Sequence, residues 1–362
     1  MTDTPPAQVN PVFRLIMLGA AFVVLVAGMK AASGILVPFL LAVFMAVIAT
    51  PLFFALQRFG IPSALALLIM ILILLLVGLA GAGVVHQSIN RVTVKLPEYQ
   101  QTLEAHTRDL VVWLKGKGFD VAEQVNEAMN PQVFNKAIGN TLSALGALLS
   151  NTFLILLMAI FILLEAAILP KKVRALPGLS VENWNRMRTM VTEIRHYVGL
   201  KSITSMITGV LIGLWLLVMG VEHPVLLGLL AFVLNYVPNV GSIVAAIPGV
   251  LLALVLQGGG TASVVAIGYL VINLGISNVL EPRFLGRGLG LSPTFIVLSM
   301  VFWGWVLGPI GMLLAVPLTM TVKVAMESDP QTSWVALLLG SSLPKGDKPE
   351  SARDASPSHP EP

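Results

Sequence analysis

Asn235-Tyr236-Val237-Pro238-Asn239-Val240-Gly241-Ser242 interrupts an apolar stretch that runs from Phe232 to Thr319. Two further interruptions follow. One is Asn278-Val279-Leu280-Glu281-Pro282-Arg283, continuing through Gly286-Arg287-Gly288-Leu289-Gly290. The other is Gly308-Pro309-Ile310-Gly311, with Pro317 beyond it. In a soluble protein these would be ordinary turns. At bilayer depth each one frees backbone polar groups that cost several kcal/mol unless something satisfies them. Helices broken in this way are how secondary transporters build substrate and ion sites.

The surrounding composition agrees. Of 362 residues, 56% are hydrophobic and 11% charged, where soluble domains carry roughly 25% charged residues. The chain therefore reads as an all-α polytopic membrane protein. It has no cysteine, which excludes disulfides, thiol nucleophiles and Cys-based metal sites. A net charge of +4 does not mark a nucleic-acid binder. How the charge is distributed matters more, because it sets topology.

In order, residues 1–11 read as a disordered tail and 12–85 as three transmembrane helices with tiny joints. Arg14 and the run from Val12 to Met29 also fit a signal peptide, but a second apolar run follows at once. Residues 86–140 read as extracytoplasmic amphipathic helices, with Leu96, Tyr99, Leu103, Leu110 and Leu114 at helical spacing. Pro97 suits a first helical position, and Asp120 with Glu123 resembles a capping box. Residues 141–170 hold the fourth span. The stretch 171–201 carries seven basic residues against Glu182 and Glu193, so the positive-inside rule makes it a cytoplasmic loop. Residues 202–326 form the transport unit, and 327–362 a cytoplasmic tail that is mostly disordered.

About eight hydrophobic segments result. Two of them, 225–257 and 292–324, are 33 residues long. A straight helix of that length would reach about 50 Å, well past a ~30 Å hydrocarbon core. Each is broken near its middle, so both read as broken or re-entrant helical hairpins. The sequence around them repeats. Pro238-x-x-Gly241 with Ala246-x-Pro248 echoes Pro309-x-Gly311 with Ala315-x-Pro317. One span plus one hairpin, used twice in opposite sense, is an inverted repeat of the transporter kind.

The candidate substrate path follows from the breaks. Asn235, Pro238, Asn239, Gly241 and Ser242 form the first, and Gly308 and Pro309 the second. The Asn and Ser side chains can satisfy backbone groups left free by Pro238, or bind a ligand. Asn273, Ser277 and Glu281 lie four apart, on one helix face, with Asn278 one turn before Glu281. Interhelical hydrogen bonding is the alternative for the Asn and Ser residues. An ionisable group at membrane depth marks function by default, although Arg283 offers Glu281 a structural partner, with Arg287 nearby. Trp303 and Trp305 flank the second break, as interface anchors or as stacking surfaces. Enzymatic readings fail on inventory. No phosphate loop, nucleophile elbow or His-Glu-x-x-His pair is present, and the scattered histidines have no metal spacing. No cofactor is called for.

At these residues the chain resembles the autoinducer-2 exporter family of bacterial membrane proteins. The likeness runs from about Phe13 to about Glu327. It is strongest in Leu234 to Ser242, in Ala245-Ala246-Ile247-Pro248, in Asn278 to Ser292, and from Phe302-Trp303-Gly304-Trp305 to Pro317. The resemblance implies export of autoinducer-2, a small polyhydroxylated signal, across the inner membrane, without ATP hydrolysis and in a homo-oligomer. Some members resemble sodium/proton antiporters instead, which would make a proton or sodium ion the coupling partner and Glu281 the titrating group. A non-transporting membrane scaffold, whose 86–140 helices bind a partner, is the reading from another class. N- and C-termini are expected in the cytoplasm.

Overall fold

A computed structural model describes residues 11–117, 151–166, 168–175, 181–238, 240–285 and 291–327, with isolated positions at 136, 139, 140, 143, 146, 332, 335, 338 and 339. All regular structure among these residues is helical. Three N-terminal helices come first: α1 (Pro11–Ala31), α2 (Ser33–Arg58) and α3 (Ser63–Gly116). The α2–α3 turn passes through Gly60 at φ +83°, a left-handed conformation that side chains disfavour. Next come α4 (Thr152–Ala166), α5 (Leu169–Arg174) and α6 (Val181–Val218). The last group is α7 (Pro224–Leu234), α8 (Val240–Gln257), α9 (Gly259–Gly275), a π turn (Ile276–Leu280), α10 (Glu281–Leu285), α11 (Pro293–Leu307) and α12 (Pro309–Glu327).

Six of these helices are long and apolar enough to cross a membrane, and four more are apolar but shorter. Two of the short ones, Pro224–Leu234 and Pro293–Leu307, are first halves of the broken segments. With each broken pair taken as one segment, the expected eight are present.

Two helices run farther than the sequence suggested. α3 continues without a break for 54 residues, and Pro97 lies inside it rather than at a helix start. A proline mid-helix removes the donor for the carbonyl four residues back. Here Pro97 stands on an exposed face, so the Thr93 carbonyl is not sealed in apolar surroundings. Likewise, α6 is helical from Val181, well into the stretch read as a basic loop. Charges decide where a helix leaves the bilayer, not where it ends, and no proline stands between Val181 and Val218 to stop it.

The first broken segment is a hairpin that returns to its own mouth. α7 ends at Leu234, and two tight turns follow, with Val237 N–H donating to the Leu234 carbonyl at 2.9 Å and Gly241 N–H to the Val237 carbonyl at 3.2 Å. α8 then runs back until Gln257 Nε2 donates to the Gly220 carbonyl at 2.8 Å, beside the start of α7. The second hairpin turns at Gly308, whose φ of +74° needs glycine. α11 and α12 lie side by side. Ser299 Oγ donates to the Ala315 carbonyl at 3.1 Å and also bonds Thr319 Oγ1.

The two hairpins share one packing device. A Cβ on Gly241 would strike the Leu234 carbonyl and then Val237. A Cβ on Gly311 would strike the Trp303 carbonyl and then Leu307. In both, a glycine in the first turn of the returning helix lets it press on the end of the outgoing one. Pro248 and Pro317 sit inside the returning helices. The internal repeat seen in the sequence thus has a matching geometry.

The core lies where α6, α8 and α9 meet, around Ile212, Leu216, Val255, Val265 and Tyr269. α6 and α7 approach closely at paired glycines: a Cβ on Gly209 would stand 2.7 Å from the Gly228 carbonyl. α1 lies along the second hairpin, with Phe22 stacked on Phe302 and Lys30 Nζ 4.1 Å from the Trp305 ring. α3 is tied to the α6–α7 turn. Lys95 Nζ and the Tyr99 hydroxyl both donate to the Glu222 carboxylate, at 2.6 and 2.7 Å.

Candidate functional site

The site is built on α6. Tyr197, Lys201, Thr204, Ser205 and Thr208 fall at spacings of three and four, so they form one stripe along the helix. All five are buried. The exposed residues between and beyond them, such as Ile203, Met206 and Val210, are apolar and face outward. A polar stripe buried inside an apolar helix must find polar partners, and two other elements supply them.

The first is the tip of hairpin one. Asn235 Nδ2 donates to Ser205 Oγ at 3.0 Å, and the Tyr236 hydroxyl donates to Ser202 Oγ at 2.8 Å. Ser202 passes its own proton to the Val198 carbonyl at 2.6 Å. The Asn235 side-chain amide N–H is thus spent on α6 rather than on the broken backbone. It fixes the tip to α6. Tyr236 also meets Phe44 and Phe232 edge-on, at ring distances of 5.2 and 5.7 Å.

The second is Glu281. Its Oε1 lies 2.5 Å from Lys201 Nζ and 3.4 Å from Thr204 Oγ1. The two charged side chains are 17% and 7% exposed, which makes this a buried ion pair. It replaces the expected partnership with Arg283, which points to the surface. A pairing two residues apart within one helix would place both groups on different faces, whereas Lys201 faces Glu281 squarely from α6.

Hairpin two adds apolar packing instead, with Leu314, Val316 and Met320 in one cluster with Tyr197 and Val198. Trp303 is buried, and its indole N–H donates to Thr319 Oγ1 at 3.0 Å. It is thus neither an interface anchor nor a ligand platform, but the seal of that hairpin. Trp305 is exposed, with Lys30 over its ring. Val306 and Leu307, beside the Gly308–Pro309 tip, share an apolar cluster with Val237 of the first break.

The remaining candidates are not all gathered. Pro238 and Ser242 are half-buried at the first break and Gly241 is buried there. Asn273 turns back to the Tyr269 carbonyl at 2.8 Å. Ser277 and Asn278 are exposed. The π turn that contains both spoils the expected one-face alignment, because it rotates Glu281 away from the line set by Asn273. Asn239 and Arg287 lie outside the described residues. Sequence reasoning missed Lys201, Thr204, Ser205, Thr208 and Tyr197. Their helical spacing was the available signal, but Lys201 had been counted with the basic loop.

Chemically, the arrangement offers a paired cation and carboxylate, several hydroxyls and one amide, at an interface between a rigid helix and an interrupted one. It can hold a small polar solute or exchange a proton or cation. Nothing in it resembles a nucleophile with its base, and no group of three or more His, Asp or Glu residues is placed to hold a metal among the described residues. A second polar cluster lies outside the membrane-spanning segments, at the α6–α7 turn. Burial pushes the Glu222 carboxyl up, but the hydrogen bonds from Lys95 and Tyr99 outweigh it and hold the group below its ordinary value.

A family model described as AI-2E family transporter matches residues 19–330. The chain is 38% identical over 336 residues to the AI-2 transport protein TqsA of Escherichia coli (strain K12), covering 92% of this chain and 97% of that protein. It is 36% identical over 328 residues to a putative transport protein of Haemophilus influenzae, covering 89% and 94%. It is 33% identical over 351 residues to the putative transport protein YhhT of Escherichia coli (strain K12), covering 96% and 99%.

Proposed function

The chain belongs to the AI-2E transporter family, and from that premise we propose that it exports a small polar molecule, autoinducer-2 first, across the bacterial inner membrane. The coarse function is that of a multi-pass membrane transporter. The observation that carries the finer reading is the interrupted helix at Asn235 and Tyr236, docked on the hydroxyl-lined stripe of α6. Hydroxyls and an amide at a helix break suit a solute rich in hydroxyl groups. The similarity to a protein named for AI-2 transport supports the same substrate. The termini are cytoplasmic and the assembly a homo-oligomer in this reading.

Purified protein in liposomes loaded with autoinducer-2 tests it. Efflux should depend on the protein and should fall when Asn235→Ala and Ser205→Ala are introduced. A strain lacking the protein should accumulate less signal outside, and regain it on complementation. No protein-dependent efflux would sink the substrate assignment.

A second reading has its own support. Lys201 and Glu281 pair between two helices long and apolar enough to cross a membrane, and ionisable groups in such segments mark ion and proton paths. Sodium- or lithium-driven proton movement in the same vesicles would move the function to cation/proton antiport. Absence of flux for every solute would favour a scaffold.

A further inference from the structure

Glu281 reaches Lys201 across a turn that carries one residue more than an α-helix needs. The Glu281 N–H donates to the Ile276 carbonyl, five residues back, which defines a π turn. The next residue explains it. Pro282 has no N–H to give the Asn278 carbonyl, and in α geometry its ring would collide with that carbonyl. Widening the turn moves the carbonyl aside. Packing opposes little of this. Ile276 is buried within the turn, but Ser277, Asn278 and Val279 are exposed and Leu280 is half-buried.

An extra residue in a helix need not stay where it is. It can be handed on along the helix, and every residue it passes rotates by about 100°, one helical step. Handed past residue 281, it would carry Glu281 off the α6 stripe and put Leu280 in the place beside Lys201. We propose that Ile276–Leu280 is a register switch, which exchanges Glu281 for Leu280 against Lys201 and so opens the buried ion pair in one step of the transport cycle. This rests on the transport reading above, but its test does not depend on the substrate. The exchange leaves the Lys201 ammonium without its carboxylate in a buried site lined by Thr204. That state is short-lived unless a polar solute replaces the carboxylate or the Lys201 ammonium releases its proton to water, which links the switch to turnover.

The absence of cysteine makes the test direct. Thr204→Cys with Leu280→Cys, in otherwise unaltered protein in nanodiscs, is treated with a short bifunctional thiol reagent. Thr204→Cys with Glu281→Cys serves as the positive control. The switch predicts that the 204–280 pair cross-links over time, more slowly than the 204–281 pair. Deleting Val279 together with Pro282→Ala removes the extra residue and leaves a plain helix with Glu281 still facing Lys201. In that background the 204–280 cross-link should vanish, while thermal stability stays near that of Pro282→Ala alone and transport is lost. Absence of the 204–280 cross-link in the parent overturns the proposal, whether or not the deletion variant folds. So does a deletion variant that transports like the parent. Wild-type vesicles that move neither autoinducer-2 nor sodium would instead defeat the transport reading, and the cross-link would still decide the switch.

Discussion

Removing one charge from the Lys201–Glu281 pair should cost far more than removing both. Truncating one partner of a buried pair leaves the other uncompensated, at about 3–5 kcal/mol. Glu281→Gln and Lys201→Met should each lower thermal stability in detergent strongly, while the double variant recovers most of the loss. Arg283→Gln should do little, because Arg283 is exposed. If instead Arg283→Gln is the damaging change and Lys201→Met is silent, the pairing is wrong. Glu222 makes a separate prediction about pH. Its carboxyl is held below its ordinary value of about 4.5 by Lys95 and Tyr99, against the upward push of burial. A depressed carboxylate stabilises the fold above its ordinary value, and that contribution disappears as pH falls through the lowered one. Thermal stability should therefore drop as pH falls below about 4.5, and Glu222→Gln should flatten that drop. An unchanged acid limb would remove Glu222 from the tie. Residues were the least legible scale. Glu281 stood out as an acid in an apolar half, but its partner lies 80 positions away. Arg283 and Arg287 were the visible cations, and nothing local in a sequence reports a pairing made by packing.

Helix breaks were legible because proline and glycine at bilayer depth leave few alternatives. Both hairpins are where the sequence placed them, and Gly241 and Gly311 explain how each closes. Gly241→Ala and Gly311→Ala should each destabilise by about 1–3 kcal/mol, since the added methyl meets main-chain atoms that cannot step aside. Gly81→Ala, at an open helical position, should cost nothing. Equal effects at all three would mean that the hairpins are loosely packed. Pro238→Ala alone is then the cleaner test of the first break: transport should fall while membrane insertion persists. The π turn was hidden, because a four-residue spacing assumes a regular helix and only Pro282 hinted otherwise. The continuity of α3 and α6 was hidden for the opposite reason. Pro97 and a run of basic residues look like boundaries, yet neither stops a helix whose affected carbonyls remain accessible.

Across the whole molecule, the two polar clusters lie at opposite ends of the α6–α9 unit, with Glu222 beside the start of α7 and Glu281 beyond the end of α9. The arginine-bearing end should be cytoplasmic and the far end of α3 extracytoplasmic. Gly288→Cys should resist an impermeant thiol reagent in intact spheroplasts, whereas Lys115→Cys should react. The reverse pattern would invert the molecule. One feature of that outer end has a mechanical consequence. α3 is held at Tyr99 by the hydrogen bond to Glu222 and then continues to Gly116 as helix, roughly 26 Å farther. The stretch of helix beyond Tyr99 is a lever. Any tilt of the turn that bears Glu222 is magnified at Gly116 in proportion to that length. A fluorophore at Lys115 would accordingly register movements of the hairpin mouth that are too small to detect at Tyr99 itself.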